Sequence, residues 1–111
     1  MASVKMMQGD SFSVFMDLKI DGAVMTPSLI ADLEITIGDS LRKLYSAGEV
    51  QYDARQLQWY FIPTQEETLA LEPGGYDVQA RVKFPNDQYS FVKGVGIGRI
   101  IILDANSEEV I

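Results

Sequence analysis

Residues 71–84, LEPGGYDVQARVKF, decide the fold. After the Pro73-Gly74-Gly75 turn, Tyr76, Val78, Ala80, Val82 and Phe84 fall on one side of an extended chain, with Asp77, Gln79, Arg81 and Lys83 on the other. Side chains alternate across a strand, so the pattern predicts a strand with one face on a core and one in water. Tyr76 stands at the entry to that strand. A tyrosine there predicts a structural corner: its ring fills the bottom of a sandwich core and its hydroxyl folds back onto backbone near residues 70–73.

The same period runs outward along the chain. In SFSVFMDLKI, Phe12, Val14, Met16, Leu18 and Ile20 share a face, and Asp21-Gly22 then reads as a turn. Leu33, Ile35 and Ile37 oppose Asp32, Glu34 and Thr36, and Leu57, Trp59 and Phe61 make a third apolar row. Half-buried strands of this kind belong to antiparallel sheets. Residues 39–53 are less regular. Leu41, Leu44 and Tyr45 have helical spacing behind a capping Asp39 or Ser40, whereas Ala47-Gly48 between two short segments favours a hairpin. Thr64 with Glu67 three residues on is a capping-box pattern, which predicts one helical turn over 64–69. The expected architecture is all-β: an immunoglobulin-like antiparallel sandwich of about seven or eight strands with one short helical turn.

At 111 residues the chain has the size of one domain, expected to span residues 1–111 with a single core. It has no cysteine, so neither a disulfide framework nor a thiolate zinc site is expected. A formal charge of −7 with no Lys/Arg cluster argues against nucleic acid as a partner. No run nears the roughly 18 apolar residues of a membrane span, and MASVKMMQGD lacks a signal-peptide stretch, so no membrane partner and a cytoplasmic site of synthesis are expected.

Chemistry finds little to work with. Without histidine or cysteine, the commonest general base and the strongest neutral-pH nucleophile are both missing. Neighbouring carboxylates at Glu66-Glu67 and Glu108-Glu109 diverge on a strand or a helix and read as solvated surface. DANSEE, from Asp104, places oxygen ligands at alternate positions but has Glu109 where a calcium loop needs glycine. GVGIGR alternates glycines at 94, 96 and 98 but leads into IIIL, a strand-forming run, where a dinucleotide loop requires a helix. The glycines predict a bulge or bend in the last strand. No catalytic residue, metal or cofactor is expected.

Alternation fails at a few places. Phe15, Tyr60 and Ile62 fall on the nominally outer faces of their strands, and in RIIILD the apolar residues run on without a break. With Ile100 and Ile102 assigned outward, these five residues form the expected interaction surface, covered by a chain segment or another protein.

The stretches MMQGDSFSVFMDLKIDGAVMTP, DLEITIGDSLRK, WYFIPTQEETLAL, YDVQARVKFPNDQ and GIGRIIILDANSEEVI, in that order, resemble a group of small proteins encoded in prophages of Gram-positive bacteria, near tail and baseplate genes. The final NSEEVI departs from the Ser-Lys ending associated with that group. The resemblance implies a non-enzymatic structural or interaction module of a phage-derived particle, in its tail or baseplate. Its expected partners are proteins, either further copies of itself or other virion proteins, and its expected destination is the virion. The second expectation is a carbohydrate- or peptide-binding sandwich, with Tyr45, Tyr52 and Tyr89 as exposed aromatics.

Overall fold

The predicted alternation becomes a β-rich fold in the computed structural model, which describes residues 3–85 and 92–111. In chain order the strands are β1 (Ser3–Met7), β2 (Val14–Met16), β3 (Lys19–Ile20), β4 (Ala23–Val24), β5 (Asp32–Ile37), β6 (Leu41–Leu44), β7 (Gln51–Asp53), β8 (Gln58–Phe61), β9 (Gly74–Lys83) and β10 (Val92–Leu103). An α-helix, α1 (Gln65–Leu69), joins β8 to β9, and a 3-10 turn at Pro27–Leu29 precedes β5. A five-stranded sheet has the order β1-β10-β9-β5-β6, and a three-stranded sheet the order β2-β8-β7. All pairings are antiparallel except that of β1 with β10. β3 and β4 form a separate hairpin. Its turn is the expected one: Asp21 and Gly22 have φ of 52° and 83°, the left-handed pair that a tight hairpin turn needs.

One core lies between the two main sheets. Leu33, Ile35 and Ile37 of β5 and Val78, Ala80 and Val82 of β9 face Val14 and Met16 of β2 and Trp59 and Phe61 of β8. Trp59 is fully enclosed, its indole N–H donating to the Met25 carbonyl at 2.9 Å. Tyr45 meets it edge-on at 5.2 Å and Tyr52 tilts against it at 5.0 Å. Both tyrosines are half-buried rather than exposed, and Tyr52 also lines a depression beside Phe15 and Tyr60. Tyr89 lies outside the described residues.

Tyr76 occupies its corner. Its hydroxyl donates to the Glu72 carbonyl at 2.6 Å, and its ring, half-buried, lies against Gly38. A Cβ on Gly38 would come within 3.0 Å of that ring, and φ there is +54°, so the β5–β6 turn accepts glycine on two grounds. The helical turn also forms as expected, with Thr64 and Glu67 exchanging both capping-box bonds.

Three expectations are corrected. First, residues 39–53 are strands but not a hairpin. β6 pairs with β5 and β7 with β8, so the chain leaves one sheet through residues 45–50 and enters the other. Second, Phe12 and Leu57 leave their rows. Phe12 precedes β2 and is 40% exposed, while Leu57 is 52% exposed in a turn with φ of +56°. Third, Ile100 and Ile102 belong to the core, at 2% and 1% exposure. The cause is a bulge in β10. Register to β9 shifts between Gly96 and Gly98, and the inward set changes from Val95 and Ile97 before it to Ile100 and Ile102 after it. Arg99 and Leu103 are therefore exposed and Ile101 half-buried on the outward face.

Candidate functional site

With Ile100 and Ile102 inside, the expected interaction surface reduces to Phe15, Tyr60 and Ile62. The three-stranded sheet brings these together. Phe15 of β2 and Tyr60 of β8 are directly opposed in the ladder, with ring centroids 4.8 Å apart and planes tilted by 32°. Their neighbours Val14, Met16, Trp59 and Phe61 are buried, so strand alternation forces both rings outward. Ile62, one residue past β8, is 52% exposed on the same side. Shallow depressions flank the pair. One, of about 390 Å³, adds Ser13, Asp53 and Arg55 to the two rings. The other, of about 360 Å³, runs from Tyr60 to Ile62 past Lys43 and Gln51. The two rings and Ile62 make an outward apolar patch on the three-stranded sheet.

The outward face of the five-stranded sheet is different. Glu34 of β5 points out of the sheet, yet its side chain is only 8% exposed because Arg42 of β6 and Arg81 of β9 close over it. Arg81 gives Nε and Nη2 to Oε1 at 2.6 Å each, and Arg42 gives Nε to Oε2. Both arginine side chains remain about 60% exposed. Burial raises the Glu34 pKa, but the two arginines outweigh it and hold the carboxyl below its ordinary value. Asp32 is similarly desolvated yet lowered by the Ser46 hydroxyl, the Leu33 and Ser46 N–H groups and the Lys83 charge.

A third charged arrangement ties β6 to α1. Lys43 faces the core side of its strand, opposite Ile35, and its side chain is 9% exposed. Its ammonium donates to both Glu67 oxygens, at 2.8 and 2.7 Å. Glu67 also accepts from the Thr64 N–H at 2.8 Å, so one carboxylate caps the helix and neutralises the lysine. Desolvation pushes the Glu67 pKa up, but the hydrogen bond and charge of Lys43, with Thr64, bring it below the ordinary 4.5. A carboxylate with a depressed folded pKa contributes stability above its unfolded pKa and loses it as pH falls through the folded one. With Asp32, Glu34 and Glu67 all shifted this way, the melting temperature is expected to hold from pH 7 to about 5 and to fall steeply below about 4. Glu67→Gln keeps a capping acceptor but removes the charge, and is expected to cost about 1–2 kcal/mol at pH 7. Part of the acid transition should vanish with it. An unchanged melting profile at both pH values contradicts this role.

Motifs weighed for chemistry do not assemble. The glycines of GVGIGR lie within β10, which pairs on both sides, with no helix after them. Among the described residues no three His, Cys, Asp or Glu side chains converge to hold a metal, those of DANSEE included.

The charged arrangements were not legible in the chain. Glu34 reads as an ordinary outward residue, and Lys43 in LRKL reads as surface. Only the register, which sets β6 and β9 on either side of β5, reveals that both are covered. No protein-family model, curated protein or solved structure matches this chain.

Proposed function

We propose that this chain is an immunoglobulin-like sandwich serving as a non-enzymatic structural or interaction module of a phage-derived particle, in its tail or baseplate. The connectivity supports the fold reading: β1 runs parallel to the last strand, β10-β9-β5-β6 form one layer, and β2-β8-β7 the other. The Tyr76 hydroxyl bonded four residues upstream supports it further. The observation that carries the functional reading is the outward Phe15–Tyr60 pair with Ile62 beside it, a patch built for contact rather than reaction. The prophage setting rests on the sequence resemblance.

The test uses particles released from a host carrying this gene. The wild-type protein should co-purify with them at fixed stoichiometry by quantitative mass spectrometry. Phe15→Ser with Tyr60→Ser should remove it from the particles while leaving it folded in the lysate, because an outward cross-strand pair contributes no more than about 1 kcal/mol to the fold. Wild-type protein absent from the particles contradicts the reading.

A carbohydrate- or peptide-binding module is the second reading. It is favoured by the depression in which the two rings stand beside Ser13, Asp53 and Arg55, an apolar platform edged with hydrogen-bonding groups. Micromolar binding on a glycan or peptide array, lost with Arg55→Ala, selects it.

A further inference from the structure

The charges of this chain are unevenly distributed. Four segments meet at one end of the sheets: the β1–β2 loop, the β5–β6 turn, residues 62–73 around α1, and residues 104–111. Hydrogen bonds stitch three of them together: Gly9 N–H to the Thr68 hydroxyl at 2.9 Å, Ser11 hydroxyl to the Pro63 carbonyl at 2.8 Å, and Ala105 N–H to Gln8 at 3.4 Å, while register sets the β5–β6 turn at the same end, beside Tyr76. Ile111 N–H reaches Gln65 of α1 at 3.1 Å, so the final segment lies across this end. Eight of the 16 acidic residues lie in these segments, and none of the nine Lys and Arg. Lys43 neutralises Glu67, while Asp10, Asp39, Glu66, Glu72, Asp104, Glu108 and Glu109 have no ion-pair partner among the described residues.

The outward face of the five-stranded sheet has the opposite balance. Register places Lys5, Arg42, Arg81, Lys83 and Arg99 on it, against Asp32, Glu34 and Asp77. Its carboxylates are engaged at home: Asp32 by Ser46, Glu34 by two arginines, and Asp77 by Arg99 at 3.6 Å. Five cations against three carboxylates leave the face net positive, with Asp77 itself 75% exposed. Beside Arg81 a depression of about 230 Å³, lined also by the paired carboxylates Asp32 and Glu34, opens onto Leu44, Lys83 and Val92. Val92 is 56% exposed, so an acidic segment would also find apolar floor there.

We infer that the outward face of the five-stranded sheet docks the acidic end of a second copy of this chain. The contact is head-to-tail: each copy offers its face to one neighbour and its acidic end to another, so assembly continues as a ring or an open string. A chain of net charge −7 repels its copies at long range, but that repulsion is screened beyond about 8 Å at physiological salt, whereas pairs in close contact are screened much less. Five strands about 4.8 Å apart and between about 13 and 40 Å long present roughly 600 Å². An interface of that size is at the weak end, so each link holds with a Kd of tens to hundreds of micromolar. This contact does not involve Phe15 or Tyr60.

Sedimentation equilibrium from about 10 to 300 µM tests it, a range set by the small interface. Wild-type weight-average mass should rise past dimer, and less so in 1 M salt, where the screening length shrinks to about 3 Å. Lys83→Glu with Arg99→Glu disables the face, and Glu108→Lys with Glu109→Lys disables the acidic end. Each variant alone should stay monomeric with native tryptophan emission. Mixed one to one, they should form a dimer that grows no further, since each supplies the half the other lacks. A strictly monomeric wild type, a variant that assembles alone, or a mixture that fails to dimerise each overturns the inference. Phe15→Ser with Tyr60→Ser should assemble like the wild type, so failure here leaves the aromatic-face reading standing; abolished assembly there relocates the contact and sinks this one.

Discussion

Replacing Ile100 by lysine and Ile102 by glutamate is expected to leave no folded protein. Both side chains are enclosed in the core, opposite Val4 and Met6 of β1 on one side and Tyr76 and Gly74 of β9 on the other. Removing a buried isoleucine costs about 2–5 kcal/mol, and the two sites share one core layer. An unpaired charge in each place adds a desolvation penalty of several kcal/mol. A domain of this size has about 5–15 kcal/mol in total. Circular dichroism should show a coil at room temperature, while Ile101→Lys, on the outward face, should change the unfolding free energy by less than about 1 kcal/mol. A folded double variant altered only in its association contradicts the phase of β10.

Trp59→Ala carries the next largest effect, about 3–5 kcal/mol. The indole is the largest fully enclosed side chain, and its removal leaves Tyr45 and Tyr52 facing a void and the Met25 carbonyl without its donor. Trp59→Phe refills most of the volume and isolates the lost hydrogen bond, at about 1–2 kcal/mol. Urea midpoints separate the two. Native emission of the wild type should be blue-shifted, as a dry indole requires. A red, water-quenched spectrum or equal midpoints for both variants refutes the enclosed position.

The sequence was legible wherever a single strand kept one phase. Leu33 to Ile37 and Val78 to Val82 reached the core as alternation required, and the Asp21-Gly22 turn and the Thr64–Glu67 cap carried their own local chemistry. Reading failed where the phase is reset by backbone that periodicity does not encode. Leu57 falls in a left-handed turn, and the bulge at Gly96–Gly98 exchanges the faces of β10. In IIIL either parity is apolar, so only the bulge decides which isoleucines are buried. The crossing from β6 to β7 has the same origin: two short segments around a glycine look alike whether they pair together or with different sheets.

The candidate site divides on the same line. Phe15, Tyr60 and Ile62 stood out because an apolar residue at an outward position breaks the pattern. Glu34 did not, since its covering arginines lie 8 and 47 residues away and an outward glutamate is unremarkable in any strand. Lys43 and Glu67, 24 residues apart, were hidden for the same reason.

Which side of β10 faces water governs both the core and the cationic face, and thiol labelling measures it directly. The chain contains no cysteine, so single cysteines at positions 99 to 103 each report alone. Maleimide labelling of the native protein should be fast at 99, 101 and 103. At 100 and 102 it should be slower by about two orders of magnitude or more, since reaction there must await opening of the core. Fast labelling at 100 and 102 with protection at 101 would return those isoleucines to the surface and remove the basis for both the core and the docking face described above.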